Sequence, residues 1–85
     1  MLYMVIEKFR PGKKSAVYDR YHAFGRMLPE GLDYVASRVE TEGDRCFQIM
    51  RTQDRDLFAA WTSNWDDLVD FEIISISESP TPNPD

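Results

Sequence analysis

The run Leu2–Phe9, LYMVIEKF, constrains the fold more than any other stretch, because it is apolar on both of its alternating faces. Successive side chains of a strand point to opposite sides. Leu2, Met4 and Ile6 therefore share one face, and Tyr3, Val5 and Phe9 the other. A strand of this kind needs cover on both sides. Arg10-Pro11-Gly12 ends it, with proline fixing one φ and glycine freeing the next residue to turn.

Beyond the turn, Val17, Tyr21, Phe24 and Leu28 recur at helical spacing and fall within roughly 60° of one another at ~100° per residue. This predicts a helix from Lys13 to near Met27 with a narrow core stripe, stopped by Pro29 and turned by Gly31. Lys13 and Lys14 sit unfavourably at the positive end of its dipole. Leu32–Glu40 and Arg45–Arg51 read as two strands joined through Thr41-Glu42-Gly43-Asp44, a loop of hairpin length. In the second strand Phe47 and Ile49 share one face, assigned here to the helices. Cys46, Gln48 and Met50 share the other.

Asp54 suits the start of a second helix, on which Leu57, Phe58, Trp61, Trp65 and Leu68 cover an arc of roughly 100°. Asp66 and Asp67 are unfavourable at a helix C-terminus, so the helix should end around Asn64–Asp67. Val69–Ser77 forms a last strand, with Phe71 and Ile73 on one face and Ile74 and Ile76 on the other. Residues 1–77 thus make one domain, and the proline-rich Glu78–Asp85 an extended or disordered tail.

At 85 residues a chain buries only ~60–65% of the surface its unfolded form exposes, so a partner subunit would help it. The net charge of −5 and scattered basic residues argue against a nucleic-acid face. The single cysteine excludes an internal disulfide, and the N-terminus lacks the basic region and long apolar core of a signal peptide. No apolar run is long enough for a membrane helix, and a cytoplasmic location is the default expectation.

The order β-α-β-β-α-β describes a split-βαβ, α+β arrangement: a four-stranded antiparallel sheet with two helices on one face. Because the first and last strands are apolar on both faces, the uncovered side would expose a large apolar patch. The expected partner is a second copy of the chain, giving a homodimer through the sheet faces. The apolar strand running into Phe9-Arg10-Pro11-Gly12-Lys13 resembles the strand-to-helix junction of the dimeric α+β barrel superfamily of ferredoxin-like domains. The pieces MLYMVIEKF, GRMLPEGLDYV, RCFQIM and DLVDFE are similar to a group of short uncharacterised bacterial proteins within it, over about Met1–Ser77. That superfamily holds cofactor-free monooxygenases, haem-degrading enzymes, isomerases and proteins without known chemistry, so the resemblance implies the fold and not an activity.

No phosphate-binding loop, nucleophile elbow or zinc-ligand cluster is present in the sequence, no cofactor is implied, and no residue is assigned a catalytic role. His22 lies roughly 120° from the centre of the helix stripe, which makes it an exposed histidine rather than a haem ligand. Cys46 reads as a structural cysteine with no electropositive setting beyond Arg45. Arg10, Lys13 and Lys14 read as a solvated basic turn in preference to an anion site. The residues expected to line a ligand pocket are Tyr21, Gln48, Trp61, Asn64 and Trp65, with core filling as the plainer role of the two tryptophans. Tyr18 and Tyr34 are further hydroxyl candidates. Two functions follow as expectations: a small dimeric protein that binds an apolar or aromatic small molecule or acts through its dimer alone, or a cofactor-independent monooxygenase using Tyr21, Trp61, Asn64 and Trp65 to orient an aromatic substrate.

Overall fold

The computed structural model describes residues 1–78; most of the proline-rich tail lies outside the described residues. The elements are β1 (Leu2–Phe9), α1 (Lys14–Phe24), β2 (Leu32–Val39), β3 (Arg45–Thr52), α2 (Leu57–Thr62) and β4 (Val69–Ile76). They form a sheet in the order β2-β3-β1-β4, antiparallel at every pairing. Tyr3 meets Phe58 of α2 with ring centroids 5.0 Å apart, and Phe9 meets Tyr18 of α1 at 6.0 Å. Both helices therefore lie on the face of Tyr3 and Phe9. The fold is ferredoxin-like α+β.

Pairing fixes which side chains share that covered face. Tyr3 lies opposite Met50, Val5 opposite Gln48, and Glu7 opposite Cys46. Residues directly opposite in an antiparallel pair point the same way, so Cys46, Gln48, Met50 and Thr52 turn toward the helices, and all four are buried. This corrects the assignment of Phe47 and Ile49 to the helix side. Their greater hydrophobicity misleads, because register, set by β1, decides the face.

Among the described residues no element covers the opposite face. Across it run Ala36, Ile49, Met4 and Ile74 in one row, with Leu2 beside Ile76 and Ile6 beside Phe47 in the flanking rows. None of these is fully buried, and Ile74 is exposed.

Both helices are shorter than expected. α1 stops at Phe24, where Gly25 takes φ 69° and its N–H bonds the Tyr21 carbonyl at 2.7 Å. A left-handed φ costs glycine little, so the helix ends there instead of at Pro29. Of the expected stripe only Val17 is buried; Phe24 is 70% exposed, and Leu28 reaches the core from the following loop. α2 ends at Thr62, yet the turns that follow still carry Trp65 and Leu68 into the core beside Phe58 and Trp61. At its start the Asp54 carboxylate accepts the Asp56 N–H at 3.0 Å, and the Asp54 carbonyl accepts that of Leu57 at 3.1 Å.

Helix α1 is tied to the turns after α2 through Arg20, whose guanidinium donates to both Asp67 carboxylate oxygens at 2.8 and 2.9 Å and to the Asn64 carbonyl at 2.8 Å. A bidentate pair of this kind adds geometric definition more than stability at an exposed position.

Candidate functional site

A β-bulge prepares the site. The register of β2 against β3 shifts between Tyr34 and Ala36, and beyond it Ser37 lies opposite Gln48 and Val39 opposite Cys46. The extra residue, Val35, is exposed. A bulge re-aims the side chains that follow it, and here it brings Ser37 and Val39 to the helix side. They wall a cavity of about 180 Å³ with Phe9 of β1, Val17, Tyr18 and Tyr21 of α1, and Trp61 and Trp65.

The polar end of this cavity is built from Glu7, Gln48 and Arg26. Glu7 occupies the helix-side position of β1 between Val5 and Phe9 and is 8% exposed. Its Oε2 accepts a hydrogen bond from Gln48 Nε2, and Gln48 Oε1 in turn accepts one from Arg26 Nε at 3.4 Å. Among the described residues no hydrogen bond reaches Glu7 Oε1, while no fully enclosed side-chain oxygen lacks a partner. Oε1 is therefore open to the cavity. Burial outweighs both the Arg26 charge and the Gln48 hydrogen bond, and pushes the Glu7 carboxyl from its ordinary 4.5 up to about 7.

Arg26 is held from several sides. Its guanidinium lies 3.8 Å from the Tyr34 ring centroid and 5.2 Å from that of Tyr21, whose hydroxyl accepts from Nη1 at 3.3 Å. These are cation–π distances. Its backbone carbonyl accepts the indole N–H of Trp61 at 2.9 Å and of Trp65 at 3.1 Å. The next residue, Met27, has φ 59°, uncommon for a side chain with a Cβ. Its carbonyl accepts from Asn64 Nδ2 at 3.3 Å. The loop after α1 is thus fastened to the segment after α2 by three side-chain donors.

Of the pocket residues expected from sequence, Tyr21, Gln48, Trp61 and Trp65 line the cavity. Asn64 does not; its amide holds the Met27 carbonyl. Tyr18 lines the cavity wall, and Tyr34 covers Arg26. His22 is exposed and packs its ring edge to Tyr21 at 5.7 Å. Cys46 is buried, and burial together with the Glu7 charge raises its thiol to about 11, which keeps it protonated and unreactive near neutrality. Arg10 pairs with Asp70 at 3.3 Å on the surface, and Lys13 and Lys14 are exposed. Glu7 and Arg26 escape a reading of the sequence by motif. A carboxylate on the apolar Tyr3–Val5–Phe9 face was the available signal for Glu7, and Arg26 carried none.

Among the described residues no group of three His, Cys, Asp or Glu side chains is placed to hold a metal ion, and no helix is long and apolar enough to cross a membrane. The molecule is a ferredoxin-like domain with a small cavity between helices and sheet that ends on a buried carboxyl. No curated protein and no solved structure matches the chain. The chain belongs to the family described as a domain of unknown function, DUF3303, whose model matches residues 1–81.

Proposed function

We propose that this protein is a homodimer, packed sheet to sheet, whose subunits each bind a small molecule with a flat apolar body and one polar end. The carrying observation is the cavity itself: aromatic walls leading to Glu7 Oε1, Gln48 and Arg26. At about 180 Å³ it is close to the ~150 Å³ that accommodates benzene and below the ~300 Å³ at which drug-sized pockets begin. A single-ring compound suits it. Binding is preferred to a monooxygenase role because the indole N–H groups of Trp61 and Trp65 and the side-chain N–H of Asn64 are already donated to the Arg26 and Met27 carbonyls. They are not directed at a substrate.

The dimer rests on the uncovered apolar rows, and its sense on charge. Arg38, Phe47, Ile6 and Glu72 form one row across the open face, with opposite charges at its two edges. A two-fold axis running along the strands, between stacked sheets, would lay Arg38 over Glu72 of the partner subunit on both edges.

The binding reading is tested by titrating isotope-labelled protein with phenol, benzoate and benzamide. Saturable amide shifts centred on Glu7, Cys46 and Gln48, with shifts of the Trp61 and Trp65 indole N–H signals, are expected for at least one probe. Shifts confined to the outer surface, or none up to millimolar concentration, would overturn it.

A further inference from the structure

We propose that Glu7 transfers a proton to and from a carbon atom of the bound molecule, so that the cavity catalyses enolisation of a small aromatic ketone or 2-oxo acid. This deepens the small-molecule reading above and rests on it. Three geometric observations carry it. The carboxyl is fixed through one oxygen, since Oε2 accepts from Gln48, while Oε1 remains open to the cavity. A base held on one side and free on the other is oriented without being neutralised. Gln48 also accepts from Arg26 Nε, which sets a guanidinium on the cavity wall with a single amide side chain between it and the acid. A fixed cation beside a base is suited to an oxygen that gains negative charge as the base removes a proton. The remaining walls are mostly aromatic and aliphatic, with Ser37 and Cys46 among them, which lowers the local polarity around both groups.

The step balances without any oxidant or cofactor. Ionised Glu7 Oε1 takes a proton from the carbon between ring and carbonyl. The C–H electron pair becomes the new C=C bond, and the carbonyl oxygen becomes an enolate oxygen facing Arg26. Protonated Glu7 then returns the proton to that carbon, or to the oxygen, leaving the ketone or its enol. In heavy water the carboxyl proton exchanges with solvent through the open cavity mouth before the return step, so a deuteron is delivered to the carbon.

The ionisable or charged groups around Glu7 are Cys46 from β3, Arg26 from the loop after α1, and Tyr18 and Tyr21 from α1; Trp61 and Trp65 contribute only indoles. Of these, Arg26 opposes the rise that burial causes in Glu7, and Cys46 stays protonated. Enolisation should therefore rise with pH through about 7 as Glu7 ionises, and level off above it.

The test is deuterium incorporation into phenylacetone and phenylpyruvate, followed by proton NMR in heavy water with the full chain, alongside Trp fluorescence titration for binding. Saturable exchange above the buffer rate is expected for at least one probe, with the maximal rate at saturating probe falling by about 100-fold or more in Glu7→Gln while the probe still binds. Arg26→Gln, which keeps the backbone carbonyl that holds the two tryptophans, should lower the maximal rate by about tenfold or more. Glu7→Asp should restore part of the rate that Glu7→Gln removes. A probe that binds without accelerated exchange, or exchange unchanged in Glu7→Gln, overturns the proposal and leaves the binding reading intact. Failure of both probes to bind overturns the proposal, and failure of phenol, benzoate and benzamide as well overturns the binding reading beneath it.

Discussion

Replacing Glu7 by glutamine should remove the loss of folding stability that the buried carboxyl causes in the wild-type protein as pH rises through about 7. The folded carboxyl titrates at about 7 because it is buried, against an ordinary 4.5 in the unfolded chain. Between those values the folded state holds a proton that the unfolded state releases, so the associated stability is fully present below about pH 4.5 and is lost as pH rises through about 7. At ~1.4 kcal/mol per pH unit the loss amounts to about 3 kcal/mol by pH 8.5. Glutamine can still accept from Gln48 and carries no charge to bury, so its stability keeps only the pH dependence of the other groups. The exposed Asp67 and Glu40, held below the usual carboxylate range by Arg20 and Arg45, are common to both proteins and cancel. Urea unfolding at fixed protein concentration, from pH 4 to pH 8.5, measures the difference. The Glu7→Gln advantage should grow by about 3 kcal/mol across that interval. A difference constant to within about 1 kcal/mol would refute the claim that a carboxyl is buried against the cavity walls.

Two further outcomes follow from neighbouring residues. Cys46, buried and raised to about 11, should resist alkylation by iodoacetamide in native protein at pH 8 and react fully once the chain is unfolded in urea; equal rates would mean the β3 face is open to solvent. Trp61→Phe removes one of two indole donors from the Arg26 carbonyl, leaving Trp65 in place, and should destabilise the domain by about 2 kcal/mol in urea unfolding while loosening the loop after α1. A loss below about 0.5 kcal/mol would show that this bond does not fasten the loop.

Element order was legible in the sequence because β1 declares itself by two-sided hydrophobicity, Arg10-Pro11-Gly12 breaks it, and the apolar arc of Phe58, Trp61, Trp65 and Leu68 marks the segment over the core. Local signals stopped short where distant partners decide. Phe47 and Ile49 look more like core than Cys46 and Gln48, but β1 sets the register and turns the less apolar set inward to meet Glu7. The end of α1 looked set by Pro29, whereas Gly25 breaks the helix earlier so that the Arg26 carbonyl can meet two indoles from the other end of the chain. The candidate site follows the same division. The aromatic wall was readable from helical spacing, and Glu7 showed only as one charge on an apolar strand face. Arg26 depends on a loop path, and the Tyr34–Ala36 bulge that supplies Ser37 and Val39 leaves no mark in the residues that form it.

Native mass spectrometry of freshly purified protein at micromolar concentration tests the proposed dimer and its ligand together. The expected species has twice the 9.9 kDa mass of one chain, with a small additional mass where a ligand has been retained, and Met4→Glu on the open sheet face should convert it to the single-chain mass. A wild-type protein found at 9.9 kDa alone, or a Met4→Glu variant that remains a folded dimer, would contradict assembly through the apolar sheet faces.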